Sequence, residues 1–308
     1  MDDGDGRLAV RRHGVPVPVL PRVPPSLRNR VFRGADVVAA GLLTRSQLRG
    51  ASWSRIWPDL YVHRDVEVTH ALRARAAAAL LVEDSVVTGV SAAVLWGVEL
   101  AGPDDDVELT VPAGRGPVRV AGLRVRRSPL PEDRVVHRRG VRCTNPEATA
   151  VRIAASARGD DGVIAVDRIV AARVCGLSAV RELAATLTGA GSARARRVCA
   201  LADGLAGSPQ ETRLRLLLVR AGLPPPRAQV EVRDAQGFVA RVDLAWPEQR
   251  VAVEYDGLWH AEPGQFARDR RRLNRLHAAG WRVVFVTAAD LHRPAEVLAR
   301  IRAALACA

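Results

Sequence analysis

The 308-residue sequence contains no lysine, so each of its 46 basic residues is an arginine. A catalytic lysine is therefore excluded anywhere in the chain. Cysteine is also scarce, and the four cysteines, Cys143, Cys175, Cys199 and Cys307, lie far apart. Structural zinc sites use closely spaced ligand pairs. The spacing therefore predicts reduced, buried thiols rather than a zinc centre.

Long apolar runs are missing as well. A membrane-spanning helix needs roughly 20 apolar residues, and the longest candidate, Ala76 to Val82, is much shorter. The N-terminus, Met1 to Asp5, is acidic, whereas a secretory signal begins with basic residues before an apolar stretch. These features predict a protein without a membrane segment, located in the cytoplasm.

The charge of the chain is strongly one-sided, with a formal net charge of +13. A basic surface attracts nucleic acid through its phosphates, and charge alone does not distinguish DNA from RNA. The arginines are spread along the whole chain, and their use in place of lysine could also reflect genome composition. The charge therefore favours a nucleic-acid partner without fixing it.

The length suits about two domains, each with its own core. Residues 1–32 combine several prolines with arginines, which predicts a flexible basic arm. We expect a winged-helix-like domain at 33–100, a small sheet with a helical connector at 101–206, and a separate domain at 207–308. The predicted fold class is α/β, of the α+β type.

The first of these domains shows helix and turn signals. Apolar residues at helical spacing predict two short helices between Asp36 and Gly50. Thr44 followed by Gln47 has the spacing of a capping box at the start of the second helix. A turn at Pro58 then leads into a strand, as in the wing of a winged helix-turn-helix. We expect three arginines here to contact DNA: Arg45, Arg49 and Arg55.

Three segments, Leu43 to Leu48, Pro58 to Val62 and Ser91 to Gly97, resemble the N-terminal part of AbiEi-type abortive-infection antitoxins and related regulators. The family has a more glycine-rich turn where this chain has Pro58 and Asp59. The resemblance implies a DNA-binding regulator whose protein partner is a cognate toxin. A helix-turn-helix shape does not guarantee DNA contact. An interpretation in which these helices only pack together stays open.

The middle of the chain changes from strands to helices. Residues 107–111, 118–120 and 123–126 alternate apolar and polar side chains, which predicts a small sheet. Residues 145–206 are rich in alanine and leucine, with breaks at glycines, and predict helices. No catalytic motif is evident in these helices. We expect them to connect the two ends of the chain.

The C-terminal hundred residues begin with a capped helix. Ser208 is the predicted cap, a proline occupies the first turn, and Glu211 lies at the third position. A charged helix is predicted after Gly264, then a strand from Trp281 to Thr287 and a last helix from Pro294. Three strands precede the charged helix: Val230–Val232, Phe238–Trp246 and Val251–Tyr255. The predicted order is αβββαβ with a terminal helix.

Two acidic residues are predicted to face one another in this domain. A hairpin with its loop at 247–250 places Asp243 opposite Glu254, and cross-strand partners on one face lie about 5 Å apart. Asp256 follows Glu254 on the same face by the strand period of two. Like charges this close are unfavourable unless a cation lies between them, and Mg²⁺ or Mn²⁺ suits carboxylates and water. We therefore predict a metal site at Asp243 and Glu254.

The same residues carry a family resemblance. Residues 242–244, 254–257 and 259–260 resemble the very-short-patch-repair (Vsr) endonuclease-like family of the PD-(D/E)xK nuclease superfamily. The resemblance implies a metal-dependent DNA endonuclease in which Asp243 and Glu254 bind the metal and Glu211 joins them. Asp256 stands where the broader superfamily has lysine. Because histidine can accept a proton near neutral pH, His260 is predicted as the general base.

Several of these assignments have a second interpretation. Glu211 also has the position of the acidic residue in a capping box. Five arginines of the charged helix either track phosphates or form a solvated face: Arg268, Arg270, Arg271, Arg272 and Arg275. The main prediction for the whole chain is a metal-dependent DNA endonuclease. The alternative is a non-catalytic antitoxin-like DNA-binding regulator with a degenerate nuclease fold.

Overall fold

A computed structural model describes residues 23–257 and 265–307. Most of the predicted basic arm, residues 1–22, and the predicted general base His260 lie outside the described residues. The chain divides into two compact units, Met1–Val68 and Thr69–Ala308. The predicted α+β class is confirmed, because helices and three sheets make up the described chain.

The first unit contains a small sheet and two short helices. After a 3-10 turn, its elements are β1 (Phe32–Arg33), α1 (Gly34–Ala39), α2 (Arg45–Leu48), β2 (Trp53–Trp57) and β3 (Leu60–His63). The strands pair antiparallel in the order β1-β3-β2. The predicted capping box is confirmed, since Gln47 N donates to Thr44 Oγ1 (3.2 Å) and Thr44 N donates to Gln47 Oε1 (2.7 Å). Both short helices and the strand after Pro58 are confirmed.

The second unit begins with a helix and a five-stranded sheet. Helix α3 (His70–Ala76) continues as a π-helical turn, Ala77–Leu81. The next elements are β4 (Val86–Val87), α4 (Gly89–Leu95), β5 (Val107–Val111), β6 (Leu123–Arg127), β7 (Val135–Arg138) and β8 (Val141–Thr144). The strand order is β6-β5-β4-β8-β7, with β5 and β6 parallel.

The predicted strand at 118–120 is wrong, because these residues have no regular secondary structure. Since β5 and β6 run parallel, the chain between them must return to the other end of the sheet. Residues 112–122 make this return, and Pro112, Gly114, Gly116 and Pro117 suit an irregular path. The alternating pattern at 118–120 therefore belongs to a crossover segment.

Four helices follow the five-stranded sheet, as the sequence predicts for residues 145–206. They are α5 (Pro146–Ser156), α6 (Asp161–Ala171), α7 (Leu177–Thr186) and α8 (Ser192–Leu201). Their buried side chains, such as Ile153, Val166 and Val198, form one hydrophobic core that also includes Ala93 of α4. These helices thus build a core in addition to linking the ends of the chain.

The C-terminal part has the predicted αβββαβ order. Its elements are α9 (Pro209–Arg220), β9 (Arg227–Asp234), β10 (Gly237–Trp246), β11 (Val251–Asp256), α10 (Gln265–Ala278), β12 (Arg282–Thr287), α11 (Ala288–Leu291) and α12 (Pro294–Ala306). The sheet order is β12-β11-β10-β9, with β11 and β12 parallel. One core contains Leu244, Val253 and Ile301, and another contains Ala252 and Leu276. Helices therefore cover both faces of the sheet.

A buried carboxylate joins α6 to α9. Asp167 Oδ1 accepts from the backbone N–H groups of Asp203 (2.8 Å) and Gly204 (2.9 Å). Its Oδ2 accepts from Thr212 Oγ1 (2.8 Å) and Arg215 Nη2 (2.9 Å). Asp167 is 1% exposed and Arg215 is 8% exposed. This network fixes the start of the C-terminal fold against the preceding helices.

The cysteines are free thiols, as predicted, but their burial differs. Cys143 and Cys199 are buried and Cys175 is partly buried, and burial raises the pKa of each of these three thiols to about 11. Cys307 is exposed, so the prediction of burial is wrong for this residue, which follows the last turn of α12. Among the described residues, no helix is both long and apolar enough to cross a membrane.

Candidate functional site

The start of α9 brings Glu211 to the edge of the C-terminal sheet. Ser208 caps the helix, since its Oγ accepts from Glu211 N (3.2 Å). The Glu211 carboxylate turns back and accepts from Gly207 N (2.7 Å). It also accepts from Gln229 Nε2 of β9 (3.0 Å). Glu211 therefore stabilises the helix start and also belongs to a polar cluster on the sheet.

Asp243 and Glu254 lie on the neighbouring central strands β10 and β11. The register pairs Leu244 with Val253, which puts Asp243 and Glu254 at the next facing positions. Asp243 Oδ2 accepts from the backbone N–H of Tyr255 (2.8 Å). Glu254 is 8% exposed. The structure thus brings these two predicted ligands together.

Gln229 links the carboxylates. Its Nε2 lies 3.0 Å from Glu211 Oε2 and 3.5 Å from Asp243 Oδ1. Gln229 has φ of 53°, in the left-handed region that non-glycine residues rarely adopt. Such backbone strain persists where the surrounding structure holds it, and it is concentrated at functional sites. Gln229 is not predicted from the sequence, because no motif marks a single glutamine in a strand.

The acidic cluster is electrostatically strained. Burial, and then the charge of Glu254, raises the pKa of Asp243. Burial, and then the charge of Asp243, raises the pKa of Glu211. Asp243 and Glu211 therefore each hold a proton more readily than they would in water. A cation placed among the three side chains would relieve this repulsion.

Such a cation is already present next to Glu254. Arg272 of α10 donates to both oxygens of Glu254, with Nη1 to Oε1 at 3.0 Å and Nη2 to Oε2 at 2.5 Å. This fork-like geometry is the strong form of an arginine–carboxylate pair. From the sequence, Arg272 is predicted either to contact phosphates or to lie on a solvated face, whereas in the structure its guanidinium binds Glu254.

The other predicted arginines of α10 fall into two groups. Arg275 forms two hydrogen bonds to Asp234, at 2.8 and 2.7 Å. Arg268 and Arg271 are exposed. Asp256, which is predicted to share the face of Glu254, lies at the end of β11 and is also exposed. Arg268 and Arg271 are therefore open to a phosphate, whereas Arg272 and Arg275 would each have to break an ion pair.

The carboxylate oxygens at this site are the type of ligand that a hard divalent cation such as Mg²⁺ prefers. Mg²⁺ is commonly bound by one or two carboxylates together with water, and Asp243 and Glu254 would supply them. Within residues 23–257 and 265–307, no group of three or more potential metal-binding side chains is assembled. Binding of a metal would also require Glu254 to give up at least one bond to Arg272.

A second candidate surface lies in the first unit. Arg45 begins α2, Arg49 directly follows this helix, and Arg55 lies in the middle of β2. All three side chains are exposed. In the part of the chain that the structure describes, no ion pair or hydrogen bond engages their guanidinium groups. The hairpin of β2 and β3 turns at Asp59, where φ is 62°.

Residues 85–204 match the family described as the AbiEi antitoxin C-terminal domain. The match spans the five-stranded sheet and α5 to α8. Of the three segments that carry the antitoxin resemblance in the sequence, only Ser91 to Gly97 lies within it. The match ends at residue 204 and does not include the C-terminal segments that resemble Vsr-like nucleases. That resemblance therefore stays a prediction.

Two uncharacterized proteins of Mycobacterium tuberculosis, MT2308 of strain CDC 1551 / Oshkosh and Rv2248 of strain ATCC 25618 / H37Rv, are each 35% identical over 161 residues. The alignment covers 51% of this chain and 59% of each relative, so the chain covers less than two thirds of their length. The crystal structure of the RV2827C protein from the same organism has a TM-score of 0.40 and 17% identity. That comparison covers 67% of this chain and 84% of the other.

Proposed function

We propose that this protein is an antitoxin-like DNA-binding regulator with a cognate toxin as its protein partner. The observation that carries the proposal is the match of residues 85–204 to the AbiEi antitoxin C-terminal domain. The compact unit before it supports the DNA-binding part. Its elements follow the order of a winged helix-turn-helix, in which the second helix of the motif meets the major groove.

The charges of the first unit support the same proposal. Residues 23–68 contain seven arginines and four acidic residues. Arg45 is the first residue of α2, the helix in the recognition position, and Arg49 directly follows this helix. Arg55 lies on β2, in the β2–β3 hairpin that corresponds to the wing. Exposed arginines without an acidic partner are available for phosphate contacts. In this proposal α2 and the wing contact the DNA backbone together.

Fluorescence anisotropy with duplex DNA tests this surface. The double variant Arg45→Gln/Arg49→Gln and the single variant Arg55→Gln should each weaken DNA binding at least tenfold. Each lost phosphate contact should also reduce the slope of log K against log salt concentration by about 0.9. Arg158→Gln, an exposed arginine in the second unit, is the matched control and should bind as the wild type does. Unchanged affinity and salt slope in the α2 and wing variants would contradict the proposal.

Metal-dependent hydrolysis of DNA is the second candidate function. The observation that favours it is the cluster of Glu211, Asp243 and Glu254, in which burial and mutual repulsion raise two pKa values. Perturbed carboxylates in one cluster are typical of catalytic sites. A bound Mg²⁺ or Mn²⁺ would polarise the phosphate and lower the pKa of an attacking water. Gln229 would hold Glu211 and Asp243 in place.

The bond between Arg272 and Glu254 makes this candidate testable without a cleavage assay. Arg272→Gln removes the competing cation and should strengthen Mn²⁺ binding, measured by calorimetry. Asp243→Asn should abolish it. Arg271→Gln, an exposed neighbour, is the control for the change in net charge. Absence of Mn²⁺ binding in both the wild type and Arg272→Gln would refute the metal site. Plasmid cleavage with and without Mg²⁺ then tests turnover.

A further inference from the structure

A cavity of about 370 Å³ lies within the region that matches the antitoxin family. One wall comes from the five-stranded sheet and carries Thr88, Thr110 and Thr144. Another comes from α5, and a third from the segment between the end of α7 and the start of α8. Cavities of a few hundred Å³ are the size that small-molecule ligands occupy.

Three arginines line this cavity: Arg126 of β6, Arg134, and Arg152 of α5. The Nε atoms of Arg134 and Arg152 are buried and have no hydrogen-bond partner. In residues 23–257 and 265–307, no hydrogen bond or ion pair engages any of the three guanidinium groups. Arg134 and Arg152 are partly buried and Arg126 is exposed, and burial of a charged group is unfavourable where it has no partner. The cavity therefore has an excess of positive charge that the folded chain leaves uncompensated.

The carboxylate of Glu108 does not neutralise the positive charge of these arginines. Glu108 attracts Arg152 through space, but its carboxylate accepts from Arg124 (3.2 Å) and from the backbone N–H of Val90 (3.3 Å). Burial, and then repulsion by Arg126, lowers the pKa of Arg152. An anion in the cavity would offset the electrostatic cost of burying Arg152 and would reduce its repulsion by Arg126.

We infer that this cavity binds a small phosphate-bearing ligand. Guanidinium groups match phosphate oxygens in paired hydrogen bonds, and three of them suit a group with more oxygens than a carboxylate offers. Hydroxyl groups of the wall, including Ser128 and Ser192, add donors. Ser192 opens the ten-residue helix α8, whose N-terminal dipole also favours an anion.

The shape of the cavity selects a small ligand over a nucleic-acid strand. Aliphatic side chains form the rest of the lining, among them Leu130, Val151 and Leu183. A partly open cavity of this size between a sheet and helices is too small for a duplex backbone, which binds along longer open surfaces and grooves. The ligand therefore combines a phosphate group with a compact body.

Isothermal titration calorimetry of the full chain tests the inference with inorganic phosphate and pyrophosphate as probes, at constant ionic strength. We expect saturable binding that Arg152→Gln and Arg134→Gln each weaken at least tenfold, because each variant removes charge-assisted hydrogen bonds to the anion. Arg158→Gln lies outside the cavity lining and should bind normally. Equal binding by all variants, or no saturable binding by the wild type, would overturn the inference.

Two competitors and one stability measurement separate the remaining outcomes. Succinate that binds as tightly as pyrophosphate would overturn the assignment of phosphate. A duplex oligonucleotide that displaces pyrophosphate would overturn the assignment of a small ligand. Without anion, Arg152→Gln should have the same or a higher Tm, since it removes an unpaired charge, and a lower Tm would overturn the assignment of Arg152 to the ligand. If either variant fails to fold, Arg126→Gln, at an exposed position, gives the same test.

Discussion

Removing the carboxylate of Asp167 should destabilise the second unit more than any surface change. Asp167 accepts four hydrogen bonds, two from backbone N–H groups of the loop before α9 and two from side chains of α9. Both Asp167 and its partner Arg215 are buried. Asp167→Ala leaves all four donors without this acceptor, and Asp167→Asn keeps the shape while removing the charge.

The structure sets the expected magnitude. Each buried donor left unsatisfied costs about 1–3 kcal/mol, and breaking a buried ion pair costs about 3–5 kcal/mol. Arg215 keeps a second acidic neighbour, because its Nε lies 2.9 Å from Asp203 Oδ2. We therefore expect about 3–5 kcal/mol for Asp167→Ala. Asp167→Asn should cost about 2 kcal/mol, since its oxygen still serves the backbone while its amide faces Arg215.

Urea unfolding, followed by tryptophan fluorescence and circular dichroism, measures this loss. Asp161→Asn on the same helix is the matched control. Its ion pair with Arg213 is longer, at 3.5 Å, and the two side chains are 72% and 41% exposed. Exposed pairs of this kind contribute about 0–1 kcal/mol. If Asp167→Asn costs no more than Asp161→Asn, the network does not stabilise the fold as argued.

The remaining predictions concern the acidic cluster and the first unit. Asp243→Asn should raise the free energy of unfolding at neutral pH by up to about 1 kcal/mol, because burial and then Glu254 raise the pKa of Asp243 and solvent reduces the effect. A raised pKa stabilises the fold below the unfolded pKa, and this contribution is lost as pH rises through the folded pKa. The increase in the free energy of unfolding caused by Asp243→Asn should therefore disappear below about pH 4, measured by urea titrations at several pH values. An increase that does not change with pH would contradict this prediction. Thr44→Ala should cost about 1 kcal/mol through loss of the capping box. Ser46→Ala on the same short helix is its control, and equal stabilities in thermal unfolding would refute the role of the cap.

Local signals in the sequence were sufficient for most of the secondary structure. The capping box at Thr44 and the capped, proline-started helix after Ser208 depend on residues within one turn of each other. The hairpin register that brings Asp243 to Glu254 follows from strand periodicity and a short loop. These features need no knowledge of the rest of the chain.

Contacts between distant segments could not be read in this way. Arg272 reaches Glu254 only because α10 packs on the sheet at a particular rotation, and a helix rich in arginine gives no sign of which one turns inward. Gln229 depends on a local φ that the residue type does not favour. The cavity is lined by residues from 88 to 192, with Arg126 and Arg152 on different elements. Such sites depend on tertiary packing.

Arg272 is also the residue on which the two candidate functions differ. A guanidinium stays charged at any physiological pH and matches both oxygens of a carboxylate at once. Glu254 is therefore held in a complete ion pair, and a divalent metal must displace Arg272 before it can bind there. A DNA phosphate meets no such barrier at Arg45, Arg49 and Arg55 of the first unit, which are already exposed. Arg272→Gln therefore separates the two candidate functions, because it should change metal binding at Asp243 and Glu254 and leave DNA binding by α2 and the wing unaltered.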